Sequence, residues 1–298
     1  MAIALATETL DVPFEVRPLA GSFGGEVDGF DLGGLSGRCS SEAFLSEVCR
    51  HGVVVFHGQS LTPQQFGKLS RFCGELEYHV LDQYRMEEVP EIYVISNIVE
   101  DGKPIGNPKD GFGWHTDQSY LARPTAYTLL HGVETPPEGG DTLFASTEQA
   151  YNRLDPELKA RIDGKTAVHS YVYMRTGNAN YMKDNAVTTA LTDAQRQQVP
   201  DVVHPLVRTH PLTGRKSLYL GGDCIVGIEG MDHVESRKLL DQLFAAVLAA
   251  ENQVALKWRP GDVVIWDNRT TMHSATEYDR DRYRRLIWRT SVKGETPF

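Results

Sequence analysis

The sequence predicts a β-rich α+β fold, and three observations support this prediction. The chain has 298 residues, which is enough to bury one sizeable core. Most of the sequence after Gly74 consists of short segments rich in β-branched and aromatic residues, which are typical of strands in a barrel or sandwich. The few segments with helical spacing of apolar residues stand apart from these strands, so we expect the helices to flank the sheets.

Two helices and one strand are predicted before Gly74. The segment SSEAFLSEVCRHG brings Phe44 and Val48 to one helical face, and the apolar run VVVF that follows predicts a buried strand. In the segment TPQQFGKLSRFCG, Thr62 is a predicted N-cap and Pro63 occupies the first helical position. This part of the chain is therefore expected to run from helix to strand to helix.

Strand-like segments dominate the rest of the chain, and two helical segments interrupt them. The strand-like segments read EIYVIS, AYTLLHGV, DTLFAS, HPLVRTH, KSLYLGG, NQVALKW, GDVVIWDN and RRLIWRTSV. Helices are predicted around Glu148 to Ile162 and around Val234 to Leu248, the second with a wide apolar stripe. Because no repeat, low-complexity tract or linker separates these segments, residues 1–298 are expected to form a single domain.

The composition argues against several classes of partner. The chain has 30 Lys and Arg against 40 Asp and Glu, a net charge of −10, whereas nucleic-acid binding needs a clustered basic surface. No apolar run approaches the roughly 20 residues of a membrane helix, and the first residues lack the basic region of a secretory signal. The four cysteines are scattered without CxxC spacing, so neither disulfides nor a zinc site is expected. We therefore expect a cytoplasmic protein that binds neither nucleic acid nor membranes.

A stretch rich in glycine and proline, IVEDGKPIGNPKDGFG, runs from Ile98 to Gly113. It comes directly before the strongest motif of the sequence, and loops of this composition beside a site are often mobile. We therefore interpret Ile98 to Gly113 as a candidate lid.

The strongest motif is GWHTDQSY, in which His115 and Asp117 are two residues apart. In an extended segment both side chains leave the same face, so both could bind one metal ion. Two histidines with one carboxylate suit iron(II) and leave coordination positions open. His273, which follows a turn at Gly261 and Asp262 and the strand VVIW, is the candidate for the second histidine. The HxD pair alone could also be a polar strand end, and the three residues would also suit a zinc hydrolase.

Five motifs in order resemble those of the taurine and chlorophenoxyacetate dioxygenase family, and the resemblance covers nearly the whole chain. The motifs are WHTD, GGDT, HPLVRTHPLTGRK, GDVVIWDNRTTMH and RRLIWR. The resemblance implies a double-stranded β-helix, or jelly roll, with flanking helices. It also implies an enzyme that uses iron(II), alpha-ketoglutarate (2-oxoglutarate) and O2 to oxidise a substrate C–H bond, with release of succinate and carbon dioxide. By the same resemblance His115, Asp117 and His273 are the catalytic metal ligands.

The resemblance also implies that Thr142 and Arg285 hold the distal carboxylate of alpha-ketoglutarate. An arginine offers a rigid fork that matches a carboxylate, and a threonine hydroxyl can donate one more hydrogen bond. Arg285 lies twelve residues after His273, one more than expected in the taurine enzymes. Arg284 is therefore kept as an alternative for the same role.

A small anionic substrate, such as a carboxylate, amino acid or sulfonate, is implied by two further matches, Arg289 and His79. Arg289 lies four residues after Arg285, on the same face of a predicted strand. Two positions depart from the taurine enzymes, because Asp82 replaces a tyrosine and Gly111 replaces an asparagine. We therefore expect a substrate other than taurine, and Asp82 could pair with a substrate ammonium group.

Three alternatives stay open at this stage. The same iron centre could give desaturation, oxidative decarboxylation or ether cleavage, because these reactions begin from the same hydrogen abstraction. A non-catalytic metal-binding jelly roll is a second alternative, because one fold hosts unrelated functions. The oligomeric state is a third open point, since a dimer or tetramer is implied by the family resemblance only.

Overall fold

The computed structural model describes residues 12–178 and 191–298, and within them it confirms the β-rich α+β fold. The strands are β1 Arg17–Pro18, β2 Gly25–Val27, β3 Val53–Phe56, β4 Leu76–Glu77, β5 Tyr93–Ser96, β6 Val99–Glu100, β7 Lys103–Pro104, β8 Thr125–Glu134, β9 Thr142–Ser146, β10 Thr166–His169, β11 Val202–Pro205, β12 Val207–Thr209, β13 Lys216–Leu218, β14 Ile225–Ile228, β15 Gln253–Leu256, β16 Val263–Asp267, β17 Thr271–Ala275 and β18 Leu286–Lys293. The helices are α1 Ser41–His51, α2 Pro63–Cys73, α3 Thr147–Arg153, α4 Pro156–Ile162, α5 Tyr171–Thr176, α6 Asp193–Gln198 and α7 His233–Val247. Short 3-10 helices span Leu32–Gly37, Asp82–Tyr84, Gly222–Cys224 and Ala250–Asn252.

Two sheets form the centre of the molecule. The larger has the strand order β1-β2-β3-β16-β8-β18-β4, with β5 also paired to β18. The smaller has the order β15-β9-β17. Strands β2 and β3 are parallel, whereas the neighbours around the site, β8 with β16 and β18 and β9 with β17, are antiparallel.

Strand β3 is an example of a central strand that is buried on both faces. Val54 and Phe56 pack with α1 and α2 in one core, while Val53 and Val55 pack in a second core together with Phe144 of the smaller sheet. A strand covered on both faces has no solvent side, so its sequence VVVF shows no polar alternation. A third core joins the smaller sheet to α3, α4 and α7.

The two predicted helices before Gly74 are confirmed. Helix α1 begins after Ser40 and buries the face that includes Phe44 and Val48. Helix α2 begins at Pro63, and Thr62 caps it by accepting a hydrogen bond from the Gln65 backbone N–H at 3.2 Å. The Gln65 side chain accepts in return from the backbone N–H of Thr62, which satisfies two helix-end donors at once.

The predicted helix around Glu148 to Ile162 is wrong in one respect, because the segment forms two helices, α3 and α4. Pro156 has no backbone N–H to continue the first helix, and Asp155 caps the second by accepting from Glu157 N at 2.8 Å. The segment HPLVRTH likewise forms two short strands, β11 and β12, in different sheets. None of the helices in the described ranges is both long and apolar enough to cross a membrane.

The stretch from Ile98 to Gly113 contains the two-stranded hairpin β6-β7. Asp101 and Gly102 turn this hairpin with positive φ angles of 49° and 75°. Asn107 is tied to β5, because its N–H donates to Val94 O at 2.9 Å. The lid stays a prediction, and the structure adds that the last residues of the stretch border the cavity described below.

Substitution of Leu243 in α7 should destabilise the fold. Leu243 is fully buried in the third core, so Leu243→Ala removes apolar contacts and leaves a cavity, at a cost of about 2–5 kcal/mol. The exposed neighbour Lys238 on the same helix provides the control, because Lys238→Ala should change the stability by no more than about 0.5 kcal/mol. Urea unfolding of both variants measures the difference, and equal midpoints would contradict the assigned core.

Candidate active site

His115, Asp117 and His273 converge between the two sheets. His115 and His273 form an isolated antiparallel bridge, with His115 N donating to His273 O at 3.0 Å and His273 N donating to His115 O at 2.9 Å. His273 lies in β17, whereas the strand expected around the HxD motif is reduced to this bridge. The chain turns directly after Asp117, where Gln118 has a φ of 50°. The spacing of two still brings both side chains to one point.

The donor atoms of the three residues lie close enough together to hold one metal ion. One ligand atom of each lies within 4.8 Å of the others, and each histidine Nε2 is 3.7 Å from an Asp117 carboxylate oxygen. The Nδ1–H of His115 donates to Gly113 O at 2.8 Å, which leaves Nε2 with a lone pair towards the centre. Two imidazole nitrogens and one carboxylate therefore fit iron(II), and the set leaves other coordination positions open.

Asp117 is an ionised carboxylate in an almost completely buried position, with only 1% of its surface exposed. Its Oδ1 accepts a hydrogen bond from Arg289 Nη2 at 2.6 Å, and its Oδ2 accepts from Thr128 Oγ1 at 2.6 Å. Burial alone would raise the pKa of Asp117, but the Arg289 cation and the two histidines hold the pKa well below its ordinary value. The carboxylate therefore carries the negative charge that a cation needs.

The two histidine rings differ in their electrostatic environment. Burial, followed by the neighbouring His115 ring, lowers the pKa of His273 to about 3. Burial would also lower the pKa of His115, but the negative charge of the adjacent Asp117 carboxylate raises it above the ordinary value. His273 is thus neutral near pH 7 and can offer a lone pair.

A cavity opens beside the candidate metal centre, with about 530 Å³ of unfilled space including its mouth. His79, Gly111 and Arg289, all identified from the sequence, line this cavity together with His115 and Asp117. Residues that the sequence did not single out complete the wall, namely Leu81, Asp110, Phe112, Thr116, Gln118, Tyr120, Tyr171, Met174, Asp223 and Cys224. The cavity wall combines the Arg289 cation and three carboxylates with the aromatic rings of Phe112, Tyr120 and Tyr171.

His79 takes a defined orientation beside this cavity. Its ring centroid lies 4.0 Å from that of Tyr93, and its Nδ1 accepts a hydrogen bond from Leu81 N at 3.2 Å. Burial and then the Arg289 cation lower the pKa of His79 well below its ordinary value, so the ring is neutral. With Nδ1 as acceptor, the single proton is on Nε2, and the ring can act as a hydrogen-bond donor.

Asp82 does not belong to this site, so its assignment to the substrate needs correction. It lies in the 3-10 helix Asp82–Tyr84 on the exposed surface and does not line the cavity. The Gln195 side chain donates to its carboxylate at 3.5 Å. Asp110 and Asp223 are the residues with a carboxylate on the cavity wall that the sequence analysis missed.

Arg284 and Arg285 occupy opposite environments. Arg284 is exposed and forms an ion pair with Glu134 at 2.9 Å. Arg285 is only 5% exposed, and its Nε has no hydrogen-bond partner within residues 12–178 and 191–298. Its guanidinium carbon lies 5.8 Å from the Tyr278 ring centroid. A buried arginine with an unused donor is suited to receive an anion.

Thr142 is buried on β9, on the sheet face that also carries His273. Thr142 pairs with Ala275 and Phe144 pairs with His273, so the alternation of the strands puts Thr142, Phe144 and His273 on one face. The Thr142 hydroxyl accepts a hydrogen bond from Trp258 Nε1 at 3.0 Å. Because the indole N–H can only donate, the hydroxyl proton of Thr142 stays available for another acceptor.

Several known proteins are similar to this chain over nearly its whole length. The family model described as "Taurine catabolism dioxygenase TauD, TfdA family" matches residues 15–291. The (S)-phenoxypropionate/alpha-ketoglutarate-dioxygenase of Sphingobium herbicidovorans is 31% identical, over 95% of this chain and 96% of that protein. The alpha-ketoglutarate-dependent sulfate ester dioxygenase of Pseudomonas putida is 31% identical over 99% of this chain and 94% of that protein. A crystal structure of AAD-2 in complex with Mn(II) and N-oxalylglycine superposes with a TM-score of 0.78 at 31% identity, covering 96% of this chain and 99% of that one.

A methyl group at Gly222 should disturb the candidate metal centre. Gly222 has a φ of +63°, and a Cβ there would overlap the Trp114 carbonyl oxygen and lie 2.6 Å from the His115 Cα. Gly222→Ala should therefore displace His115 and weaken Mn(II) binding by about tenfold or more, which is about 1.4 kcal/mol. Isothermal titration of the metal-free protein measures this affinity.

Gly164→Ala is the matched control for Gly222→Ala. Gly164 has a similar φ of +66°, but a Cβ there would meet no atom within 4 Å. It carries the same backbone strain without the collision. Equal Mn(II) affinities in the two variants would contradict the role given to the contact with His115.

Proposed function

Since the chain belongs to the taurine catabolism dioxygenase TauD, TfdA family, we infer that it is an iron(II)- and alpha-ketoglutarate-dependent dioxygenase of a small anionic substrate. The observation that carries this inference is the convergence of His115, Asp117 and His273 beside a cavity that contains Arg289. The relatives reported above are named for phenoxypropionate and for sulfate esters, and each of these compounds is an acid. We propose the jelly roll as the finer description of the two central sheets, with residues 1–298 acting as one catalytic domain.

We propose that the three converging residues bind iron(II) through two histidine nitrogens and the Asp117 carboxylate. When bound, the metal together with alpha-ketoglutarate and O2 supplies the oxidising power for a C–H bond, and succinate and carbon dioxide leave as products. The contribution of the chain is to hold the reactants in place and to exclude water. The pocket shape decides which C–H bond faces the metal, so hydroxylation and the other oxidative outcomes share this machinery.

Arg285 and Thr142 are the proposed anchors for the distal carboxylate of alpha-ketoglutarate. Arg285 is buried and has an unused donor, so an anionic cosubstrate would complete its hydrogen bonds. Thr142 is kept in the donor state by Trp258, as its hydroxyl oxygen already accepts from the indole N–H. The ion pair of Arg284 with Glu134 on the surface favours Arg285 over Arg284 for this role.

Arg289 and His79 are the proposed partners of the substrate anion. Arg289 lines the cavity next to Asp117, and its Nε has no hydrogen-bond partner in the described part of the chain. His79 is neutral and donates through Nε2, so it can add a hydrogen bond without adding charge. The rings of Tyr120 and Tyr171, whose centroids are 4.4 Å apart, supply an apolar wall for the body of the substrate.

The experiment that tests the function is an anaerobic titration of iron(II) and alpha-ketoglutarate into the metal-free protein. A weak visible charge-transfer band is expected when both are bound, and an acidic substrate should shift this band. If no band forms, the site binds another metal or supports no redox chemistry, and the proposed function is wrong.

Arg285→Ala should weaken the binding of alpha-ketoglutarate by roughly 10- to 100-fold. Its physical cause is the loss of hydrogen bonds to a charged group, worth about 1.5–3 kcal/mol. The same anaerobic titration, followed through the visible band, gives the dissociation constant.

Arg284→Ala is the control for this measurement, because it removes a neighbouring arginine that faces solvent. Its dissociation constant for alpha-ketoglutarate should equal that of the unmodified protein. If Arg284→Ala had the larger effect, the assignment of the two arginines would be reversed.

Arg289→Leu should abolish the shift of the band by acidic substrates, while the band itself still forms. The leucine removes the cation from the cavity and also the hydrogen bond that Arg289 donates to Asp117, so the titration is run at an iron(II) concentration that saturates the variant. Asp82→Ala is the control, because Asp82 lies outside the cavity and its loss should leave the shift unchanged. A shift that persists in Arg289→Leu would show that another group receives the substrate anion.

A further inference from the structure

The turn between β16 and β17 carries polar residues of the motif WDNR that the proposed function does not use. Asn268 hydrogen-bonds to Asp117 and Thr128 at the candidate metal centre, whereas Asp267 bonds to a separate buried network. We propose that Thr128 and Asn268 are positioning residues that hold the Asp117 carboxylate in the orientation for metal binding. This inference rests on the metal-binding part of the proposed function.

The direction of each hydrogen bond follows from Trp266. Its indole N–H can only donate, and it donates to Asn268 Oδ1 at 3.0 Å. This contact fixes the orientation of the Asn268 amide, whose Oδ1 also accepts from Asp117 N at 3.2 Å. The amide nitrogen then faces Thr128 and donates to its Oγ1 at 2.8 Å.

The Thr128 hydroxyl therefore donates its proton to the Asp117 carboxylate. Its oxygen already accepts from Asn268, so its own proton is free to donate to Asp117 Oδ2, at 2.6 Å. An ionised carboxylate can only accept, which agrees with this direction. Rotation of the Asp117 carboxylate would therefore break its charge-assisted hydrogen bond with Thr128. Thr128 cannot follow this rotation, because Asn268 holds its hydroxyl and Trp266 holds Asn268.

Burial makes this arrangement rigid. The side chains of Asp117, Thr128, Trp266 and Asn268 are each at most 1% exposed, so bulk water cannot replace a lost partner. Hydrogen bonds to metal-binding carboxylates generally set the orientation and affinity of the site, and their loss typically costs 10- to 100-fold in metal affinity. Thr128 donates to the Asp117 carboxylate, and Asn268 donates to Thr128. Both residues can therefore orient the carboxylate without binding the metal themselves.

The network around Asp267 fixes the turn from the opposite side. Arg269 donates to both carboxylate oxygens of Asp267 at 2.8 Å, and His210 Nε2 donates at 2.9 Å. The Nδ1 of His210 accepts from two backbone N–H groups, so its proton is on Nε2. Cys49, His210 and Asp267 lie as close together as metal ligands, but these hydrogen bonds already occupy the Asp267 oxygens. The group therefore acts as an anchor for the turn that carries Asn268.

The test measures Mn(II) binding to the metal-free full chain by isothermal titration, without turnover. Thr128→Val has nearly the same shape and lacks the hydroxyl, so its affinity should be roughly 10- to 100-fold weaker. Thr128→Ser keeps the hydroxyl and should stay within about threefold of the unmodified protein. Asn268→Ala leaves Thr128 in place but removes its amide partner, and its affinity should be about 3- to 10-fold weaker.

Several outcomes would overturn the proposal. Unchanged affinity in Thr128→Val, or equal losses in the valine and serine variants, would show that the hydroxyl does not position Asp117. If circular dichroism shows that Thr128→Val does not fold, the serine variant and Asn268→Ala decide, and unchanged affinity in Asn268→Ala contradicts the inference. An unmodified protein that fails to bind Mn(II) would instead contradict the proposed function.

Discussion

The structure around the candidate site depends on one constraint, the burial of the ionised Asp117 carboxylate. A carboxylate in such a position loses several kcal/mol of hydration. Removal of one partner of a buried ion pair typically destabilises a protein by about 3–5 kcal/mol, because the other charge is left without compensation. Arg289 and Thr128 each donate to it, and the two histidines face its oxygens. These partners come from distant parts of the sequence. The arrangement of the two sheets is what brings them together.

Each sheet contributes one part of the proposed machinery. On the smaller sheet, strand alternation puts Thr142 and His273 on one inward face. On the larger sheet, the alternation of β18 puts Ile287 and Arg289 on one face, and Ile287 belongs to the core between the sheets. The register shift near the start of β18 is a skipped residue on β8, so β18 itself continues without interruption. His273 and Thr142 thus lie on paired strands of the smaller sheet, whereas His115 and Asp117 are joined to that sheet by the bridge between His115 and His273.

The sequence predicted the parts of the molecule that follow from local patterns. Runs such as VVVF and VVIW are apolar throughout because both faces of their strands are covered, and capping residues such as Thr62 mark helix starts directly. The HxD motif with a distant histidine also sufficed to find the three converging residues. The break between α3 and α4 was missed, although Pro156 could have indicated it. For the strands, the helix starts and the break at Pro156, the decisive information lies within a few residues of the chain.

The sequence could not predict which side chains reach the cavity from loops. Asp82 was assigned because it stands where the taurine enzymes have a tyrosine, but the 3-10 helix turns it to solvent. Thr128 lies in the middle of an apolar strand, and nothing in its neighbourhood distinguishes it from an ordinary strand threonine. Its contact with Asp117 depends on the fold, which brings the middle of β8 beside the HxD segment. Asn268 had a better signal, because it stands within a motif that the resemblance already singled out.

The antiparallel pairing of β9 with β17 has a consequence for how the site could be lost. His273 stands opposite Phe144, and Thr142 stands opposite Ala275 two residues further along the same pair. A slip of one residue in this register would turn one strand's inward residues to the other face. Such a slip would separate His273 from Thr142 as neighbours on one face. A sheet with this slip would therefore keep at most one of the two groups, the metal ligand or the hydroxyl, on its inward face.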